Sequence, residues 1–244
     1  MDTNNDSLLE YDLARYPIKD TIKMMTFLLE KVIKANDNLY QPSSSSNNSE
    51  LKRKNSSHHT TCFHARSIPS ITIHAYLMRI LKYCPCSNEC FLALLVYFDR
   101  MSKPSNTRAA SIRIDSYNIH RLIISGIMVA SKLFSDVFFT NTRYAKVGGL
   151  PVSELNMLEL EFLSLNDFSL FVSLEELQHY GDQLLSHWTK EQQNNNTEKN
   201  EINEIEELSA PVRRRARHLS IDKHEDDFGM NNHNENDKIN ERPT

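Results

Sequence analysis

The segment from Asp115 to Asp136 carries the apolar pattern that most constrains how this chain folds. Its apolar and small residues recur three and four positions apart, the spacing of one helix face. They are Ile119, Leu122, Ile123, Gly126, Ile127, Ala130 and Leu133. The stripe is nearly continuous, which predicts a helix buried on several sides at the centre of a helical core. Asp115 or Ser116 is expected to cap this helix by accepting backbone N–H bonds.

The same periodicity predicts further helices on both sides of the central one. Within the core they are expected at 70–83, 88–101, 140–147 and 151–166. Pro85 ends the first of these, Ser87 can cap the second, and Gly148 and Gly149 end the helix at 140–147. An amphipathic helix at 17–40 precedes the core, and another helix at Leu174–His187 follows it. The predicted fold class is therefore all-α: five core helices with one additional helix at each end.

Three segments are too polar to bury a core and are predicted to be disordered. They are the N-terminus at 1–16, a flexible Ser/Asn-rich insert at 41–61 and a charged tail at 188–244. The folded region is then 62–187 together with the preceding helix. Apolar residues without Gly make up 39% of the chain, below the roughly 45–50% of typical globular proteins, a figure that also counts Gly; this fits a chain that is only partly folded.

Composition argues against several functional classes. The five glycines occur in no spacing that would cradle a phosphate, so a nucleotide-binding enzyme is not expected, and no cofactor is predicted. No apolar run reaches the ~18 residues of a membrane span, so we expect an intracellular protein without membrane association. Basic and acidic residues balance at 19 each over residues 1–187, whereas binding to nucleic acid needs a basic surface. Nucleic acid is therefore not an expected partner.

Two charged residues stand at the edges of otherwise apolar helices. Lys132 lies in MVASKLFSD, and Glu159 follows it in LNMLELEFL. These strings, with YFDRM and FHARSIPSITIHAYLMRILKYCPC, resemble a single cyclin box of the fungal phosphate-regulation type, which is related to the plant P/U-type cyclins. The resemblance continues almost unbroken from His120 into LNDFSL and covers about 62–185 plus the preceding helix. Several separated strings occur in the family's order.

The resemblance implies a non-catalytic subunit that activates a cyclin-dependent serine/threonine kinase. The implied partner is a proline-directed kinase of the phosphate-signalling type, bound as a heterodimer through the third and fifth box helices. Lys132 and Glu159 match the family's kinase-binding lysine and glutamate. Leu133 and Phe168 match apolar positions that pack on the kinase's mobile regulatory helix. Asp136 matches an acidic position that pairs with kinase arginines which otherwise need a phosphate on the activation loop.

Alternatives remain open for the function and for each residue. A kinase-binding scaffold or inhibitor would need the same contact face, and a cyclin-fold nucleic-acid or transcription module is a further possibility, disfavoured by the balanced charge and single box. Lys132 also suits the C-terminal end of a helix dipole. Glu159 and Asp136 are equally compatible with a surface glutamate and a turn residue.

The cysteines and the basic tail carry weaker signals. Cys84, Cys86 and Cys90 form a C-x-C-x3-C pattern that is too tight for the usual zinc loop, so thiols without a metal are expected. A basic cluster in the tail is either a nuclear localisation signal or a solvated group of charges, which leaves the nucleus and the cytoplasm as expected locations. Its residues are Arg213, Arg214, Arg215 and Arg217, and Ser220 after them is a candidate phosphosite.

Overall fold

The computed structural model describes residues 10–39, 61–104 and 111–209, and for residues 195–209 the backbone only. The chain divides into two units, 1–199 and 200–244, and the described part of the second is the helical stretch 200–209. The described residues form seven helices and no strand. These are α1 (Ile18–Asn38), α2 (Ile73–Tyr83), α3 (Asn88–Ser102), α4 (Ile119–Phe134), α5 (Asn141–Gly148), α6 (Val152–Leu165) and α7 (Leu174–Ser209). The all-α prediction is confirmed, and none of the described helices has the length and apolarity to cross a membrane.

Helix α4 forms the centre of the core, as its apolar stripe predicts. It packs against α2, α3, α5 and α6, and its residues from Leu122 to Ser131 are all buried. Helix α1 packs on α2 and α3 through a face that includes the fully buried Ile22 and Met25. Leu133 is the one residue of the α4 stripe that the core leaves exposed.

The turn before α4 is organised differently from the predicted cap. Asn118, and not Asp115 or Ser116, occupies the N-cap position, and its side chain makes no cap bond. Asp115 Oδ1 instead accepts the backbone N–H groups of Tyr117 and Asn118 at 2.9 and 3.1 Å, while Asn118 Oδ1 accepts the Asp115 N–H at 2.9 Å. This reciprocal turn satisfies the polar groups ahead of the helix. Ser87 does stand at the N-cap of α3, but without a side-chain cap bond.

The N-terminal segment is more ordered than its polar composition predicts. Tyr11 is fully buried, and its hydroxyl lies 2.6 Å from Thr21 Oγ1 on α1. Its backbone N–H donates to Asp182 at 2.8 Å, and its carbonyl accepts from Gln178 at 2.7 Å, both on α7. A Cβ at Gly181 would lie 2.6 Å from the Tyr11 ring, so the missing side chain allows this approach. Within the predicted disordered segment 1–16, residues 10–16 are therefore held in place.

Helix α7 continues past the predicted end at His187. The sequence predicts a disordered tail from residue 188, whereas the structure extends the helix to Ser209. The reason lies partly in contacts with α1: the Trp188 ring meets Phe27 edge-on at 5.5 Å, and Glu191 pairs with Lys31. The remaining tail at 210–244, with Arg213, Arg214, Arg215, Arg217 and Ser220, lies outside the described residues, as does most of the predicted insert at 41–61.

Candidate functional site

The structure brings together the two charged residues that the sequence singles out. Lys132 lies in the last turn of α4 and Glu159 in the middle of α6, and Lys132 Nζ is 2.5 Å from Glu159 Oε1. Their side chains are 31% and 17% exposed, so the pair is partly desolvated and still accessible from outside. Because partial burial reduces screening by solvent, this pair fixes the geometry of its helices better than a fully exposed pair would.

Asn141 holds the second oxygen of the glutamate. Its Nδ2 donates to Glu159 Oε2 at 2.8 Å and to Asn156 Oδ1, also at 2.8 Å. Asn141 is the first residue of α5, so three helices converge on one carboxylate. A hydrogen bond between helices leaves no trace in local periodicity, so the role of Asn141 is not visible in the sequence. Its only sequence signal is its position after Thr140, whose hydroxyl caps α5.

Exposed apolar side chains lie close to Lys132 and Glu159 in the sequence. Leu133 is 48% exposed and Phe168 is 69% exposed. Further exposed apolar residues follow on the loop after α4, on the outer face of α6 and on the loop after it; we call them, with Leu133 and Phe168, the apolar surface. They are Val137, Phe138, Met157, Leu160 and Phe171. Leu133 and Leu160 directly follow Lys132 and Glu159 in the chain, so an exposed apolar group stands next to each charge.

The loop that carries Phe168 has an unusual backbone. Asp167 and Phe168 adopt φ values of 52° and 55°, in the left-handed region that residues with a side chain rarely occupy. Two hydrogen bonds to the end of α6 hold this conformation: Asp167 N–H to Ser164 O at 3.0 Å and Phe168 N–H to Leu163 O at 2.9 Å. Strained backbone of this kind clusters at functional sites. The loop therefore presents an exposed aromatic ring from a fixed position.

Asp136 stands alone on the loop between α4 and α5. Its side chain is exposed and makes no hydrogen bond or ion pair with another described residue. Next to it, Ser135 Oγ donates to the Val137 carbonyl at 2.7 Å and tightens the loop. The carboxylate is thus available to a cation from outside the chain.

The four cysteines are free thiols. Cys84 and Cys90 are buried, and Ser131 Oγ lies 3.9 Å from Cys90 Sγ. Burial raises the pKa of the Cys84 thiol and raises that of Cys62 to about 11, so both favour the unreactive protonated form. The described part of the chain contains no grouping of His, Cys, Asp and Glu that would hold a metal ion.

Comparison with known proteins identifies one family. The family model for cyclins matches residues 19–170. The chain is 43% identical over 195 residues to PHO85 cyclin-like protein psl1 of Schizosaccharomyces pombe, covering 80% of this chain and 79% of that protein. It is 43% identical over 187 residues to PHO85 cyclin-7 of Saccharomyces cerevisiae, covering 72% of this chain and 64% of the relative. Cyclin-U4-1 of Arabidopsis thaliana is 41% identical over 144 residues, 58% of this chain and 63% of that one.

Proposed function

The chain belongs to the cyclin family, and from this membership we propose that it is the activating subunit of a cyclin-dependent serine/threonine kinase. The names of two of its relatives attach them to PHO85. We therefore propose a proline-directed kinase of the PHO85 type as the partner, in a heterodimer. The chain itself performs no phosphoryl transfer in this proposal.

The observation that carries the proposal is the Lys132–Glu159 pair, each member of which is followed in the chain by an exposed apolar residue, Leu133 or Leu160. A kinase is active when its β3 lysine pairs with the glutamate of its αC helix. A rigid helical surface that packs on αC favours this arrangement by binding it more tightly than the inactive one. The apolar surface, which includes Leu133 and Phe168, supplies contact area in this proposal. Lys132 and Glu159 supply hydrogen-bonding groups that fix the register of the two proteins.

Rigidity matters to this role because a flexible activator would lose binding energy on ordering. The pair and Asn141 join α4, α5 and α6, and the fully buried Phe162 anchors α6 in the core. The contact face is therefore set before the kinase arrives. This arrangement supports binding through the third and fifth box helices, which are α4 and α6.

Asp136 adds an electrostatic part to the proposal. An unpaired carboxylate on the loop after α4 can meet kinase arginines that would otherwise bind a phosphate on the activation loop. The cyclin would then supply a fixed negative charge in place of a phosphorylation. A kinase with this subunit would need no activating phosphate to reach its active geometry.

The test is capture of a purified PHO85-type kinase by the full chain, followed by a kinase assay on the captured complex. The wild type should bind and activate the kinase, and Lys132→Ala/Glu159→Ala should lose both. Removing both charges leaves neither one unpaired in the free chain, so loss of binding then reports the kinase contact.

Lys31→Ala/Glu191→Ala is the matched control, because it removes a partly exposed ion pair between α1 and α7. This control should bind and activate like the wild type. A kinase that binds the wild type without gaining activity would indicate a scaffold or inhibitor. Absence of binding by the wild type would refute the proposed function.

A further inference from the structure

A cleft lies between α2 and α5, beside the start of α1, and its charged lining is entirely basic. Its volume is about 1290 Å³. The charged side chains that line it, here called the basic cleft, are Lys19, Arg79, Lys82, Arg143 and Lys146. No Asp or Glu lines it, and neither α2 nor α5 contains an acidic residue. The chain as a whole carries a net charge of −4, so this is a local concentration of positive charge.

The cations of the basic cleft differ from others in the described core by having no carboxylate partner. Arg100 pairs with Glu176, Arg121 with Glu154 and Lys132 with Glu159. Among the described residues, none of the five cleft cations forms an ion pair. Cations that share a cleft repel one another, and a cleft lined by one sign of charge concentrates its field on an approaching ligand of opposite sign.

Helix dipoles explain the positions of only some of these cations. Lys82 and Lys146 lie in the last turns of α2 and α5, where a cation favours the helix dipole. This accounts for neither Lys19 on α1 nor the two arginines. Helix dipoles alone therefore do not explain why cations from three helices meet here.

The two arginines are oriented before any ligand binds. Arg143 Nε donates to the Tyr83 carbonyl at 2.7 Å, and its guanidinium carbon lies 4.2 Å from the centre of the Phe139 ring. Arg79 Nη2 reaches across to the Lys146 carbonyl at 3.5 Å. A guanidinium has five N–H donors, so each retains donors for a carboxylate, which it can bind in bidentate fashion.

The rest of the lining is largely apolar. Met78, Leu81 and Val147 lie among the cations, and the Tyr83 ring is 47% exposed. Such a lining adds contact energy only for a ligand with an apolar side chain. It adds nothing for a free phosphate and little for a nucleic-acid backbone, which also needs a longer basic surface.

We propose that the basic cleft binds an acidic peptide segment of a partner protein, in which Asp or Glu residues flank an apolar residue. Thr140 and Thr142 line the cleft on either side of Asn141, which holds Glu159. The cleft therefore adjoins the proposed kinase-binding surface. If the chain binds a kinase as proposed above, the segment docked in the cleft would belong to a substrate or regulator of that kinase.

The test measures binding of the full chain, without kinase, to a short fluorescent peptide in which glutamates flank one leucine. Fluorescence anisotropy should show binding that weakens with added salt, and a peptide with glutamine in place of each glutamate should not bind. Lys82→Glu/Lys146→Glu should weaken binding by about tenfold or more, because it reverses two charges in a field-focusing cleft. Lys34→Glu/Lys190→Glu changes the net charge equally at exposed lysines outside the cleft and should bind like the wild type.

The proposal would be overturned by equal binding of the glutamine peptide, by equal losses in the two double variants, or by displacement of the peptide by inorganic phosphate at matched ionic strength. Preferential binding of duplex DNA at this cleft would also overturn it. A parallel kinase capture separates this inference from the proposed function. Lys82→Glu/Lys146→Glu should still bind and activate the kinase, so a failure of kinase capture in the wild type leaves the peptide result standing on its own.

Discussion

Gly126 of α4 faces Leu94 of α3 so closely that a Cβ at position 126 would lie 2.2 Å from Leu94 Cδ1. The same Cβ would lie 2.8 Å from the ζ carbon of Phe162 on α6. Real Cβ atoms do not approach other heavy atoms this closely, so a side chain at position 126 would force the Leu94 and Phe162 side chains to shift. Helix α4 therefore packs closely against α3 and α6 at a residue that has no side chain.

Gly126→Ala should therefore lower the free energy of unfolding by about 1–3 kcal/mol, the usual cost of overpacking a core. Urea denaturation measures the change. The double variant Gly126→Ala/Leu94→Ala should lose less stability than the two single variants together, because truncating Leu94 makes room for the new methyl group. Additive losses would show that the two positions do not compete for the same space.

His120 should make stability depend on pH. Its Nε2 lies 2.9 Å from the Ile71 carbonyl, which can only accept, so Nε2 carries the proton and Nδ1 carries none in the neutral ring. Nδ1 is buried without a hydrogen-bond partner among the described residues, and burial lowers the pKa of His120. The unfolded chain then binds a proton more readily than the folded one. The free energy of unfolding should fall as the pH drops below about 6.5, the ordinary histidine pKa, and level off below the folded-state pKa.

The measurement is a series of urea titrations across this pH range, with variants compared to the wild type. His120→Gln keeps a donor for the Ile71 carbonyl and should make the pH dependence shallower. His74→Gln replaces an exposed histidine on α2 and should keep the wild-type slope. Equal slopes for wild type and His120→Gln would exclude this residue as the source.

Leu160→Glu should weaken kinase binding by about tenfold or more without unfolding the chain. The side chain is 65% exposed, so the free protein loses little packing, whereas a bound kinase would bury the new charge without a partner. Ile68→Glu makes the same chemical change at a residue that is 53% exposed and lies before α2, outside the apolar surface. Titration of the kinase by both variants decides the matter: similar losses would argue against a specific contact at Leu160.

Asn141→Ala should weaken kinase binding about fivefold, the equivalent of one hydrogen bond worth about 1 kcal/mol. The reason is that Glu159 would lose the donor that fixes its second oxygen. Asn156→Ala removes the Asn141–Asn156 bond but leaves the Asn141–Glu159 bond in place. It should therefore bind the kinase like the wild type, as measured by surface plasmon resonance.

Asp136→Asn should still allow capture of the kinase through the apolar surface, and should lower the activity of a kinase that carries no activation-loop phosphate. Asparagine preserves the size of the side chain but removes the charge that would pair with kinase arginines. Asp136→Glu retains the charge and should retain most of the activity. Assays of captured complexes at equal kinase concentration make the comparison, and full activity of Asp136→Asn would rule out the phosphate-replacing role.

Much of the fold is visible in the apolar period, because burial dictates which helix faces are apolar. The stripe from Ile119 to Ala130 predicts both the existence of α4 and its central place. The continuation of α7 just past His187 is not visible, because Trp188 and Glu191 contact a distant helix, α1, through Phe27 and Lys31. The buried Tyr11 is hidden for the same reason.

The candidate site is likewise only partly predictable from the sequence. Lys132 and Glu159 stand out as charges in apolar helices, but their contact with Asn141 depends on how three helices meet. The basic cleft is not visible in the sequence. Basic and acidic residues are equal in number over residues 1–187, and only the fold brings the basic residues of α2 and α5 together. Counts along a chain hold no information about which charges become neighbours.

The hydrogen bonds between Tyr11 and α7 determine when the fold can be completed during synthesis. The N–H of Tyr11 bonds to Asp182, 171 positions later, so the residue leaves the ribosome long before its partner is made. Until α7 emerges, the Tyr11 ring and the adjoining face of α1 remain exposed. Chaperones and proteases can reach such surfaces in nascent chains. A chain that ends before α7 would keep them exposed, so an unfinished molecule would differ from a finished one in the exposure of the segment around Tyr11.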